Sequence, residues 1–397
     1  MSQFWSLSAA GFAATAISYG PARMGFGLFV PEFRQAFSMS TAQVGFVSSL
    51  GFFGFLVGLP IAQSFLSRRG PAVPVLVGLT AATIGMALVA VAPSLSVLAL
   101  GVFLAISSAG FAWTPFNDAV HRNIMDARRP AALSTISTGT SLGIAGAGLA
   151  ALAMVLAGVS WRVCWALFAL AAAVAVFVNL AALRHDHGGR RDGAGRGWTE
   201  LLHGAAIPLY VVGFVYGTNS AIYISFAADR MTAAGGVPGV AEGATPALVF
   251  ICYGLFGLTG LVTGQIKAAV GLPMLLRLLM LAGALSVALV AIAAGTWAGL
   301  ILSAGLQGLH VMMTSAVLAF WSERLFPDRA SGSFTAALLA TAAGSVLGPA
   351  VAGIVSGTYG ASVMFLGTAA LSAAAAAALR NRHVRERPLD PAGPQPA

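Results

Sequence analysis

Apolar residues along this chain fall into twelve long unbroken blocks and do not alternate with polar ones. The blocks cover about residues 7–30, 42–66, 71–92, 95–116, 131–158, 161–183, 205–228, 245–267, 272–294, 296–320, 331–356 and 360–380. At ~1.5 Å per residue, some 20 residues of helix cross a hydrocarbon layer of ~30 Å. Continuous blocks predict helices, whereas barrel strands would show a period of two. The interruptions carry breakers: Pro31, Pro71, Pro93, Pro130, Gly271 with Pro273, and Pro327. The longest polar interruption runs from Arg184 to Gly204 and leaves six blocks on each side. This predicts an N-terminal six-helix bundle over 1–183, a flexible linker over 184–204 and a C-terminal bundle over 205–380. The polar, Pro-rich stretch 381–397 is expected to be a disordered tail.

Composition narrows the class. Of 397 residues 58% are hydrophobic and 8% charged, with a mean hydropathy of +0.87. A soluble domain carries about 25% charged residues, so an all-α integral membrane protein is expected. The net charge of +9 does not indicate a nucleic-acid surface, because of where the charges lie. Seventeen of the 21 basic residues fall in alternate breaks, among them Arg68, Arg69, Arg122, Arg128 and Arg129. Only Arg34, Arg162 and Arg230 fall on the other side. That asymmetry predicts cytoplasmic termini and a cytoplasmic linker, in a bacterial inner (plasma) membrane. The start of the chain has no basic region ahead of its apolar block, so no cleaved signal peptide is expected. Cys164 and Cys252 sit inside apolar blocks and form no CxxC. His185, His187 and His203 match no metal spacing, so no cofactor or metal is expected.

The first block contains one charge, Arg23, in the stretch SYGPARMGFGLFVP from Ser18 to Pro31. Burying an arginine there costs about 2.5–3.5 kcal/mol on insertion scales. Pro21 leaves the Ile17 carbonyl without its donor and should bend the helix one turn before the charge. Tyr19, Arg23 and Phe26 are spaced to share a face, which reads as one wall of a substrate path. A structural arginine tied to carbonyls or a carboxylate is the plainer alternative. Further polar side chains recur at helical spacing: Tyr216, Asn219 and Tyr223; Gln307, His310 and Thr314; and Trp113, Thr114, Asn117 and Asp118. Asn219, Gln307 and His310 suggest a wet cavity, while the Ser and Thr residues suit interhelical hydrogen bonds. Proton-coupling candidates are Asp118, Glu32 and Asp229, all near block ends. Asp118 is one turn from Arg122 and makes an ordinary i,i+4 pair equally well.

The two halves repeat each other. Arg122 and Asp126 stand four apart after the fourth block, as Arg324 and Asp328 do after the tenth. Gly143 follows Arg128 by 15 residues, and Gly344 follows Arg329 by 15. Six plus six helices, duplicated halves and a long central loop resemble the major facilitator superfamily of secondary transporters. The loop after the second helix of that family carries Gly, an acidic residue, basic residues and a second Gly. Here Arg68, Arg69 and Gly70 match, while Ser67 takes the acidic place and Gln63 the first Gly. The second copy keeps Gly264, Lys267 and Gly271, with Ala268 in the acidic place. The resemblance implies twelve transmembrane helices in two pseudo-symmetric bundles and gating loops at these positions. Its antiporter Gly-Pro pair is missing from the fifth helix, where Ile144 follows Gly143. It stands instead at Gly348-Pro349.

No paired carboxylates, HExxH or P-loop lie in the blocks, so a membrane enzyme is disfavoured. A pseudo-symmetric pair of bundles also differs from a channel built of short repeats. The expected function is alternating-access transport of a small organic solute by a monomer in the lipid bilayer, with protons as a coupling ion. Arg23 as the deep charge points to an organic anion, and Tyr19, Phe26, Tyr216 and Tyr223 to an organic body. Export of hydrophobic drug-like compounds is the alternative.

Overall fold

The computed structural model describes residues 3–183, 203–327, 330–384 and 386. The expected linker, apart from His203 and Gly204, and the sequence positions Asp328 and Arg329 lie outside these residues. The described chain forms α1 in three pieces (Gln3–Tyr19, Pro21–Leu28 and Val30–Phe37), α2 (Thr41–Arg69) and α3 (Ala72–Val91). Then come α4 in two pieces (Leu95–Ser107 and Trp113–Asn123), α5 (Arg129–Leu156) and α6 (Trp161–Leu183). The second half holds α7 (Ile207–Ala233), α8 in two pieces (Ala244–Gly257 and Thr263–Val270) and α9 (Leu272–Ile292). It ends with α10 (Trp297–Leu325), α11 (Ala330–Tyr359) and α12 (Ala361–Ala378). Eleven of these are long and apolar enough to cross a membrane. The twelfth is α1, which the same length criterion misses because it is broken.

The breaks have local causes. Pro21 has no N–H for the Ile17 carbonyl, so one helix ends at Tyr19 and another starts at Pro21, where a proline costs nothing. Pro31 does not end α1 as expected. It occupies the first turn of the piece Val30–Phe37, and the break falls at Phe29 instead. Short 3-10 turns interrupt α4 at Ser108–Phe111 and α8 at Leu258–Val262. Helix α4 continues to Asn123, so Asn117, Asp118 and Arg122 are helical, past the expected end near residue 116.

The repeat is visible in backbone geometry. Gly70 ends α2 with φ 76° and Gly271 ends the second piece of α8 with φ 79°. A residue with a side chain would be strained in either place, which accounts for the two glycines of the loop pattern. The expected tail is held at its start. Asn381–His383 form a turn, Arg277 donates to the Leu379 carbonyl, and Glu386 pairs with Lys267 at 2.9 Å.

Each bundle buries its own interior, and the outer surface is apolar. Leu167, Leu170, Val174 and Phe177 of α6 point outward, as do Leu278, Leu281 and Leu285 of α9. These rows suit lipid contact. Between the bundles, α2 packs on α11 and α5 on α8. The described cross-bundle bonds are Arg34–Asp229, Ser48–Ser225 and Ser49 to the Val346 carbonyl. All lie in the halves of their helices away from the arginine-rich face. There a Cβ on Gly27 would sit 1.8 Å from the Ile224 carbonyl oxygen, and one on Gly45 2.3 Å from that of Pro349. Backbones meet directly across this seal, and only glycine allows it.

Candidate functional site

Arg23 sits in the eight-residue piece Pro21–Leu28, one turn inward from the Gly27 seal, and is 6% exposed. Its guanidinium lies over three rings: Phe55 at 4.6 Å, Phe52 at 5.3 Å and Tyr19 at 5.7 Å from the ring centroids. Each such contact contributes about 0.5–2 kcal/mol when desolvated. Together they offset much of the ~3 kcal/mol insertion cost without neutralising the charge. Among the described residues Arg23 makes no hydrogen bond or ion pair, so the carbonyl or carboxylate tie of a purely structural arginine is not seen. Its field reaches Tyr216 and Tyr253 on the opposite bundle. Tyr19 also donates its hydroxyl to the Ala109 carbonyl at 3.2 Å, in the 3-10 turn of α4.

Phe26 does not join this cage. Three residues of helix place it about 60° away from Arg23, where it stacks on Phe33 at 5.7 Å in the aromatic packing between α1 and α6. Trp113 is half-buried against the core, and Asn117 is half-buried one turn further along α4.

Asn219, Gln307 and His310 are 0–1% exposed and turn into the C-terminal bundle. Asn219 donates to the Gly283 carbonyl (3.1 Å) and to Ser372 Oγ (2.9 Å), and accepts from Gln307 Nε2 (3.3 Å). His310 Nδ1 donates to the Leu279 carbonyl at 2.7 Å. These bonds join α7, α9, α10 and α12, so the trio cements one bundle instead of forming the wall of a wet path shared with the other. The reason is rotational. A polar row at helical spacing has a common face, but its sequence does not say whether that face meets a cavity or a neighbouring helix. Tyr216 connects the network to the Arg23 side, with its ring edge-on to His310 at 5.6 Å. Tyr223 accepts from Ser303 Oγ at 3.0 Å, within the same bundle.

The remaining candidates are spread along the chain. Asp118 pairs with Arg122 on α4. Asp126 pairs with Arg129 at 2.6 Å in the turn before α5. Arg68 and Arg69 are exposed, and Lys267 and Arg324 both lie over the Phe320 ring. Asp229 bonds Arg34 at 2.6 Å across the seal. Glu32 lies beyond the first apolar block. One of its carboxylate oxygens is buried without a partner, and burial pushes the carboxyl up to about 7.

Sequence reading missed Phe52, Phe55, Tyr253 and Ser220. Gly51, Gly54 and Gly58 mark the face of α2 that packs on α4, which leaves Phe52 and Phe55 on another face. That pattern was available, but their target was not.

Residues 11–269 match the family model of the Major Facilitator Superfamily. The chain belongs to that superfamily. Solved structures with the same fold include the nucleoside transporter NupG, at TM-score 0.68 and 18% identity, with 96% of this chain and 98% of that one covered. A mutant peptide transporter POT in complex with sulfate superimposes at TM-score 0.77 and 15% identity, covering 95% and 93%. At such identities the likeness concerns the fold. Monocarboxylate transporter 13 of Rattus norvegicus is 34% identical over 110 residues, 28% of this chain and 25% of the relative. Its counterpart in Bos taurus is 31% identical over 140 residues, 35% and 32%. The matched stretches thus span about a quarter to a third of those relatives.

Proposed function

We propose that this superfamily member is a secondary transporter for a small organic anion, a monocarboxylate in the first instance. It would work by alternating access between the two bundles, as a monomer with cytoplasmic termini. The observation that carries this reading is Arg23: a buried guanidinium with three aromatic faces and no bonded partner among the described residues. Such a group offers a carboxylate two parallel donors in a site of low dielectric. The partial likeness to monocarboxylate transporter 13 supports the same substrate class. A drug exporter would have little use for a fixed deep cation. Proton movement with the anion is part of the proposal, with Glu32, Asp118 and Asp229 as candidate carriers.

Uptake of a carboxylate panel into proteoliposomes at two pH values tests the function. Arg23→Lys keeps the charge and loses the planar fork, so uptake should fall at least tenfold; Arg23→Gln should abolish it. Undiminished uptake by a well-folded Arg23→Gln protein would refute the reading.

A further inference from the structure

The C-terminal bundle presents two buried hydroxyls that no well-formed hydrogen bond satisfies among the described residues. Tyr253 of α8 and Ser220 of α7 are 0% and 1% exposed, and neither oxygen has a hydrogen-bond partner. They stand side by side, near enough for a weak hydroxyl–hydroxyl contact that lacks the geometry of a full hydrogen bond. A buried hydroxyl without a partner is costly, and most hydroxyls around this pair avoid that cost. Tyr223 accepts from Ser303, Ser303 accepts in turn through its carbonyl from Ser286, and Ser225 bonds both Ser48 and the Ala221 carbonyl. Gln307 Oε1 and His310 Nε2, deeper in the same bundle, are also without partners, but among the hydroxyls around the pair only these two are.

Its position is informative. Helices α1 and α7 touch where Gly27 meets the Ile224 carbonyl. Arg23 is one turn inward from Gly27, and Ser220 is one turn inward from Ile224. The guanidinium and the unsatisfied pair therefore lie at the same depth, on opposite bundles, just under the seal. The charge of Arg23 is felt at Tyr253. Tyr253 itself is held edge-on to Tyr223 at 6.0 Å and stacked with Phe250 at 6.2 Å, so its hydroxyl cannot swing far.

We propose that Tyr253 and Ser220 form a second anchor for the transported anion, binding a hydroxyl that the substrate carries away from its carboxylate. The inference rests on the reading of Arg23 as the carboxylate anchor. It selects hydroxylated acids over plain hydrocarbon acids and gives each bundle one end of the ligand. The aromatic surroundings, Phe52 and Phe55 on one side and Phe250 and Tyr253 on the other, suit a flat ring between the two ends.

Benzoate and its 2-, 3- and 4-hydroxy forms measure this with a rigid ruler. Binding is read as ligand-induced thermal stabilisation of the detergent-solubilised full chain, converted to dissociation constants. The 2-hydroxyl is tied to its own carboxylate and should add nothing. The 3- or the 4-hydroxy acid should bind about five- to tenfold more tightly than benzoate, the value of one neutral hydrogen bond. Tyr253→Phe and, separately, Ser220→Ala should each shrink that preference to within about twofold. Two separate variants protect the test if one fails to fold. If benzoates bind in an Arg23-dependent way with no preference for any hydroxyl, the carboxylate anchor stands and the second anchor falls. A preference that survives both substitutions also refutes the assignment. Binding that ignores Arg23→Gln, or no binding at all, overturns the carboxylate anchor and this inference with it.

Discussion

The Arg34–Asp229 pair closes the seal at its outermost point, and its removal should release that face. The two groups meet at 2.6 Å, with 35% of the arginine side chain and 15% of the aspartate exposed. At that distance, with an effective dielectric of 20, Coulomb attraction is roughly 6 kcal/mol. Most of it is cancelled, because opening the seal returns both ions to water and lets salt screen them. A charge-assisted bond at this exposure nets about 1–2 kcal/mol. Asp229→Asn keeps the shape and removes the charge, so it should raise the open population of that face about five- to thirtyfold. The reporter is Ser48→Cys, which lies within the seal beneath the Arg34–Asp229 pair, in a background where Cys164 and Cys252 are serine. Its labelling by an impermeant maleimide added at that face should accelerate by the same factor. Exchanging the charges, Arg34→Asp with Asp229→Arg, should bring the rate back toward wild type. A labelling rate within twofold of wild type in a folded Asp229→Asn protein would refute the latch.

Other perturbations have equally direct readouts. Gly27→Val places atoms inside the Ile224 carbonyl; it should hold the seal open, with fast Ser48→Cys labelling and transport lost while the protein stays folded. Asn219→Ala removes three hydrogen bonds within the C-terminal bundle and should cost about 1–3 kcal/mol, read as a lower Tm with Arg23-dependent binding retained. Glu32 is ordinarily near 4.5 and is raised to about 7, so its ionised form opposes folding. Below about pH 4.5 both states are protonated and nothing is lost; stability should decline between 4.5 and 7 and level off above, by at most about 3 kcal/mol. Glu32→Gln should flatten that part of the pH–Tm curve and stabilise the protein only at the higher pH.

The fold was legible because its determinants are linear. Block length gave the helices. The Arg–Asp pairs after the fourth and tenth blocks, with Gly143 and Gly344 each 15 residues after an arginine, gave the repeat. Helix α1 was harder. A proline announces a missing donor, yet Pro21 starts a new piece and Pro31 sits harmlessly in a first turn. The second break came at Phe29, which carries no breaker. For the site, an arginine in an apolar block stands out from its cost alone. The partners of a polar row do not, since they come from other helices. Asn219 found Ser372, which is 153 residues away, and Arg23 found Phe52 and Phe55.

The two breaks in α1 also bear on how binding and sealing are linked. Between them lies a rigid piece of two turns, Pro21–Leu28, that carries both Arg23 and Gly27. On the proposed reading, an anion drawn onto Arg23 would pull on the same short segment whose backbone meets the Ile224 carbonyl one turn away. On the facing helix, Ser220 and Ile224 stand in the same relation. A ligand held between the bundles at this depth would therefore act directly on the seal, with no relay through the helices behind it. Any ligand energy that differs between the sealed and parted arrangements shifts their populations by that difference and no more. The charge that makes Arg23 expensive to bury is, on this reasoning, what lets an anion bias which face is closed.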